Sequence, residues 1–164
     1  MRSFFVCVLA ALMLAGCTSR TGGAPESTEE SRAESVDLAV PIELRPVLET
    51  ESTDPTVIVL PTDDGERLTL AEPMLTIRRL DSAEVTLEET VGNWVLTLDL
   101  DDADGKAFGD WTADHIGERL AMVADEQVLM APAIQSAIPG GEIQISARYT
   151  RDEAQALLDK ITGR

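Results

Sequence analysis

Three features of this sequence predict an α+β fold, in which a mostly antiparallel or mixed sheet carries about two helices packed on one face. Apolar and polar residues alternate with period two in several segments, turn-forming residues join some of these in pairs, and two segments carry helical periodicity with recognisable ends.

The elements follow in chain order. Ile42 with Leu44 reads as a strand, as do residues 75–80. Residues 57–60 and 67–70 flank Pro61-Thr62-Asp63-Asp64-Gly65, whose turn chemistry makes the pair a hairpin. Trp94, Leu96, Leu98 and Leu100 alternate with Val95, Thr97 and Asp99, as in a strand with one buried face. A helix is predicted from about Asp104 to Ile116, with Phe108, Trp111, Thr112, His115 and Ile116 on one side and Gly117 ending it; Gly109 weakens it by about 1 kcal/mol relative to alanine. Residues 120–124 and 128–130 form a second hairpin joined through Asp125-Glu126-Gln127. Ile143, Ile145, Ala147 and Tyr149 mark another strand. Thr150-Arg151-Asp152-Glu153 is a capping box that starts the last helix. Ala154, Leu157, Leu158 and Ile161 share one face of it, and Gly163 stands where a C-terminal cap belongs.

The first residues obey a different logic. Arg2 precedes residues 4–15, an apolar run without charge or proline. That run is shorter than the ~20 residues of a permanent membrane span and has the length of a signal-peptide core. It ends in Leu14-Ala15-Gly16-Cys17, where small residues admit a peptidase and the thiol accepts a diacylglyceryl group. Residues 1–16 are therefore read as a lipoprotein signal peptide and Cys17 as the lipidated residue. Two or three acyl chains, at ~0.8 kcal/mol per buried methylene, hold a bilayer stably where one does not. The expected location is extracytoplasmic and lipid-anchored, with the outer face of the plasma membrane preferred to an outer membrane. Cys7 lies in the removed segment, so the mature domain is expected to hold neither a free thiol nor a disulfide.

Residues 17–35 contain no Val, Leu, Ile, Met or aromatic residue. Nothing there offsets the entropy of ordering, which predicts a disordered acidic tether reaching on the order of 25 Å root-mean-square. Residues 36–164 then make one domain. The chain carries 13 basic and 30 acidic residues, and loss of Arg2 leaves 12 against 30, a net charge of −18. Such a charge repels nucleic acid and anionic lipid headgroups, so neither is an expected direct ligand.

Catalytic groupings do not emerge. His115 is the only histidine and sits near a predicted helix C-terminus, where a cation is mildly favoured. No Gly-x-Ser-x-Gly turn is present. Residues 99–105 invite comparison with a calcium loop, but aligning Asp102, Asp104 and Gly105 puts Leu100 and Trp111 at the first and last ligand positions. A start at Asp99 displaces the glycine instead. The plainer reading is a strand end followed by a helix N-terminus, where carboxylates are favoured. No enzyme activity, cofactor or metal is expected.

The C-terminal two-thirds carries a resemblance. Gly92-Asn93-Trp94, then Leu120-Ala121-Met122-Val123-Ala124-Asp125, Val128-Leu129-Met130-Ala131-Pro132, Gly140-Gly141, Gln144-Ile145-Ser146 and Thr150-Arg151-Asp152-Glu153-Ala154 follow one another in the order and spacing of a known pattern. Together they resemble the head subdomain in the first extracytoplasmic domain of the SecD protein-export subunit. Ile42-Glu43-Leu44-Arg45-Pro46-Val47 is similar to the strand that opens that domain, so the resemblance spans about residues 38–162. Asp125-Glu126 replaces the family's Asp-Gly turn, and since glutamate suits positive φ poorly this predicts a looser hairpin. Ala147 stands where the family has glycine. The family's six membrane helices have no counterpart in this sequence, so the proton-coupled activity attributed to them is not carried over. The resemblance implies contact with exported polypeptide, or with Sec translocase components, on the far side of the membrane. The alternative is an envelope lipoprotein that keeps only the fold.

The candidate partner-binding segment runs from Ala131-Pro132 through Ile134 and Gln135 to Gly140-Gly141. Proline and paired glycines fix or free the backbone where a loop presents itself, and Ala133, Ile134, Ala137 and Ile138 supply apolar side chains. Two readings stand side by side. Those side chains are accessible to an unfolded client, or Ile134 and Ile138 sit on a short helical turn and pack into the core.

Overall fold

Long-range pairing extends the sheet well beyond the segments with clean alternation. The computed structural model describes residues 35–50, 52–89 and 92–164. The predicted signal peptide, Cys17 and all of the tether but Ser35 lie outside the described residues. Among the described residues, eight strands and two helices follow in order: β1 (Val36–Leu48), β2 (Ile58–Pro61), β3 (Arg67–Leu70), β4 (Leu75–Glu88), β5 (Asn93–Leu100), α1 (Asp102–Asp114), β6 (Leu120–Ala124), β7 (Gln127–Met130), β8 (Glu142–Tyr149) and α2 (Arg151–Thr162). Every strand pairing is antiparallel. The fold is α+β, with two helices and a mostly antiparallel sheet. Among the described residues, no helix is long and apolar enough to cross a membrane.

β1 is the centre of the sheet. One of its edges pairs with β4, which continues through β5 to β8, and the other pairs with β6, which carries β7. The carbonyls of Leu44 and Pro46 accept from the amides of Met74 and Ala71, so β3 follows β4 along the same edge and pairs at Val47 and Leu48. The β1–β4 register shifts between Asp37 and Ile42. Pro41 falls in that irregular stretch, where a residue without an N–H costs the ladder nothing.

The sheet buries apolar side chains on both faces, unequally. Ile42, Leu44, Ile77, Leu80, Leu96, Leu98, Met122 and Ile145 form one cluster with Phe108 of α1 and Leu158 and Ile161 of α2. A smaller cluster holds Leu68, Leu70, Ala121, Val123 and Val128, with Ile58 and Leu60 packed against it. Leu120, Met122 and Ala124 belong to the first cluster and Ala121 and Val123 to the second, so all five residues of β6 are buried. Its unbroken apolar sequence follows from burial on both faces.

Helix boundaries follow from the caps. Asp101 accepts from the amides of Ala103 and Asp104 at 3.0 and 2.9 Å, so α1 starts two residues before the predicted Asp104 and ends at Asp114. Ile116, predicted on the buried side of this helix, lies beyond its end and is 58% exposed. In α2 the amide and hydroxyl of Thr150 donate to the Glu153 carboxylate at 2.8 and 2.9 Å, and Thr150 Oγ1 accepts from the Glu153 amide at 3.3 Å. The donated bonds, that from the Thr150 amide first, hold the Glu153 carboxyl below its ordinary pKa. Gly163 ends the helix at φ 74°. Ala154, Leu158 and Ile161 are buried, while Leu157 is only partly so.

The β6–β7 hairpin departs from the expectation of a looser turn. Asp125 and Glu126 take φ 52° and 59°, and Ala124 pairs directly with Gln127, which belongs to β7. Two side chains in the left-handed region cost about 1–2 kcal/mol each, offset here by closure of a two-residue turn that matches strand twist. Lys160 Nζ lies 3.0 Å from the Asp125 carboxylate.

Candidate binding loop

The predicted binding segment is the β7–β8 connection, residues 131–141, and its extended backbone is fastened along its length. Leu120 N donates to Pro132 O at 3.1 Å, Ile134 N to Glu118 O at 2.8 Å, Gly117 N to Ile134 O at 2.8 Å and Leu100 N to Gly141 O at 3.0 Å. The Thr112 hydroxyl is fully buried, accepts from Ile138 N at 3.0 Å and donates to Gly109 O at 3.1 Å. One turn of α1 therefore holds the middle of the loop.

Two glycines make that approach possible. A Cβ on Gly109 would lie 3.1 Å from Pro139 Cα and 3.3 Å from Ile138 O, and one on Gly105 would lie 3.3 Å from Gly141 Cα. Spaced four apart, Gly105 and Gly109 share a helix face with Phe108 and Thr112, and the loop backbone lies where side chains would otherwise stand. Sequence reasoning counted Gly109 only as a weakness in the helix and missed Thr112 as a clamp. The pairing of two glycines with buried Phe108 and Thr112 was the available signal.

Side chains divide by direction. Ile134 is 5% exposed and belongs to the core, and Ile138 packs partly against it. No helical turn forms between them; their burial comes from an extended loop pinned to α1 and to residues 117–120. Ala131 packs against the smaller cluster and Gly141 is buried. Pro132, Ala133, Gln135, Ser136, Ala137, Pro139 and Gly140 are exposed. A groove of about 390 Å³ runs between α1 and the loop, lined by Leu100, Asp102, Lys106, Asp110, Ala137, Pro139 and Gly140 among others. Lys106 and Asp110 pair across one turn of its helical wall.

The neighbouring polar groups have assignments within the fold. Asp101 caps α1, while burial and then the Asp101 charge push the Asp104 carboxyl above its ordinary pKa. His115 stacks on Trp111 with ring centroids 3.9 Å apart, and its Nδ1 lies 2.7 Å from the Trp111 carbonyl oxygen. Among the described residues, no three His, Cys, Asp or Glu side chains converge as a metal-ligand set.

With this architecture in view, comparison with known proteins is decisive for family. The model of the SecDF P1 head subdomain matches residues 55–161. The chain belongs to the SecDF P1 head family. β1 lies upstream of the matched residues although it forms the centre of the sheet. The chain is 36% identical over 86 residues to the protein translocase subunit SecD of Calditerrivibrio nitroreducens, covering 52% of this chain and 17% of that one. It is 36% identical over 94 residues to SecD of Magnetococcus marinus, covering 53% and 18%. It is 32% identical over 90 residues to SecD of Mycobacterium tuberculosis, covering 55% and 16%. The matched region thus spans less than one fifth of the length of these relatives. Among solved structures, SecDF in its super-membrane-facing form aligns with TM-score 0.54 and 27% identity over 70% of this chain and 17% of that chain. A second structure, of the membrane component SecDF that enhances protein export, aligns with TM-score 0.53 over 75% of this chain and 63% of that chain; at 22% identity it speaks to the fold. The described residues are a SecD head-type domain, of a kind found in a protein-export subunit.

Proposed function

We propose that this head is a non-enzymatic binding domain on the extracytoplasmic side of the membrane, tethered through lipid on Cys17, and that it contacts exported polypeptide or the Sec translocase through the exposed side of residues 131–141. The observation that carries the reading is the contrast within that loop. Its backbone is fixed by hydrogen bonds to α1 and to residues 117–120, yet Pro132, Gln135, Ala137 and Pro139 face outward. A loop already ordered loses little further entropy when a partner docks. The two helices share one apolar cluster, which supports their packing on one face of the sheet. Membership in the SecDF P1 head family and similarity to protein translocase subunits support the choice of partner.

A photo-crosslinker at Gln135 tests the partner, with Glu88 at the exposed end of β4 as control. In exporting cells, adducts with polypeptide or translocase components are expected at Gln135 and not at Glu88. Equal labelling at both, or none at either, removes the binding role. The anchor is tested separately. Cys17→Ser is expected to leave the protein unlipidated and shift it from the detergent to the aqueous phase on partitioning; an unchanged distribution of fully processed protein would refute anchoring through Cys17.

A further inference from the structure

Three strands have a single partner among the described residues: β2 pairs only with β3, β7 only with β6 and β8 only with β5. The sheet curls enough that Cα atoms of β7 and β8 come within 8 Å of one another, with no ladder between them. A cleft of about 300 Å³ lies there, lined by Val128, Leu129 and Met130 of β7, Ser146 of β8 and the β2–β3 turn with Asp63 and Asp64.

Pairing with β5 fixes which way the backbone groups of β8 point. Leu100 N donates to Gly141 O and the register continues through Leu98↔Ile143 and Leu96↔Ile145. Antiparallel pairing alternates bonded and non-bonded pairs, so Glu142, Gln144 and Ser146 direct their N–H and C=O groups away from β5. These three residues are also exposed. Proteins blunt such edges with lysine, proline or bulges. From Glu142 to Ser146 there is neither lysine nor proline, and the register stays regular until after Ser146.

We infer that an extended polypeptide segment adds as a strand to the free edge of β8, with its backbone on Glu142 and Gln144, where β8 has left the cleft beside β7, and its next residues entering that cleft at Ser146. This rests on the polypeptide-binding reading above and adds β8 to residues 131–141 as a second contact for the same client. Strand addition takes its affinity from main-chain hydrogen bonds, which suits a client with no fixed sequence. Charge chooses the occupant. Arg119 is already held by Glu66 at 2.8 and 3.0 Å, and Asp64 accepts from the Thr62 hydroxyl and the Glu66 amide within the turn, which leaves the exposed Asp63 carboxylate in the cleft to attract a basic residue. Burial, followed by the charges of Asp63 and Glu153, raises the pKa of Tyr149 at the end of β8, and Asp63 lines the same cleft as Ser146. A second copy of this chain, at −17 over the full sequence, would meet like charge.

The test uses the full chain with two fluorescent peptides, one of alternating valine and threonine with a lysine at each end, the other identical but N-methylated at every residue. The first is expected to bind, and the second to bind at least about tenfold more weakly, the loss of one or two net hydrogen bonds. Gln144→Pro is expected to weaken the first peptide by a similar factor without shifting the unfolding midpoint, because that N–H faces away from β5. If the variant fails to fold, the two peptides on the unaltered protein still decide. Equal binding of both peptides overturns strand addition while leaving polypeptide binding intact. No binding of the first peptide overturns both.

Discussion

Phe108→Ala is expected to destabilise the domain by about 3–5 kcal/mol, the range for removing a buried phenylalanine. Phe108 is 1% exposed, lies among the largest fully buried side chains, and is the main apolar residue that α1 gives to the larger cluster. The helix cannot slide to fill the void, because Gly105 and Gly109 hold its face against the backbone of residues 138–141 and Thr112 is bonded to Ile138 N. Against a total stability of about 5–15 kcal/mol, such a loss lowers the thermal midpoint by about 10–20 °C. Lys106→Ala supplies the contrast. Its ion pair with Asp110 is exposed on both sides, and solvent screening limits its effect to a few tenths of a kcal/mol. Denaturant midpoints of the two variants measure the difference. A shift below about 1 kcal/mol for Phe108→Ala would mean that α1 is not docked as described.

What was legible in the sequence was local. The box at Thr150 and Glu153, the cap at Gly163 and the two hairpins each depend on residues within a few positions of one another, and each is present where it was read. The full lengths of β1 and β4 were not legible: the start of β1 pairs with Leu80 and Arg79 far along the chain, and the outer half of β4 is set by its pairing with β5, the next strand. Ala83 and Val85 are packed only partly against the core, and their alternation continues β4 only once β5 lies beside it. The run 120–124 looked like one strand of a hairpin. It could not reveal that Leu68 and Leu70 of a distant hairpin share a cluster with Ala121 and Val123.

The binding loop was legible as a place and not as a surface. Proline and glycine marked its ends, but only tertiary contacts decide which side chains point outward. Ile134 is buried and Gln135 exposed one residue later, because the loop runs extended along residues 117–120 and turns alternate side chains to opposite sides. The Asp125-Glu126 turn had the same difficulty in reverse. Local preference argued against positive φ, and the register of β6 on β7 imposes it.

Gly141→Ala carries the second large expected effect, and it connects the fold to the proposed function. Gly141 sits at φ 69°, where an alanine costs about 1–2 kcal/mol. Its added Cβ would stand 3.0 Å from Gly105 Cα and 3.6 Å from Leu100 Cβ. The first of these is helix backbone, which cannot swing aside, so relief requires the loop to lift from α1. Strain and crowding together predict a loss of about 2–4 kcal/mol. At Gly140, one residue earlier, an added methyl group would meet nothing within 4 Å, and the residue has no positive φ, so Gly140→Ala is expected to change stability by less than about 0.5 kcal/mol. The adjacent pair separates backbone geometry from composition, since both variants add the same methyl group. Denaturant titration should place Gly140→Ala with the unaltered protein and Gly141→Ala well below it. The Gln135 crosslink extends the comparison to function: it should persist in Gly140→Ala and fall in Gly141→Ala under conditions where both remain folded. Equal midpoints for the two variants would show that the loop does not lie against Gly105, and the fixed backbone on which the binding role rests would then be gone.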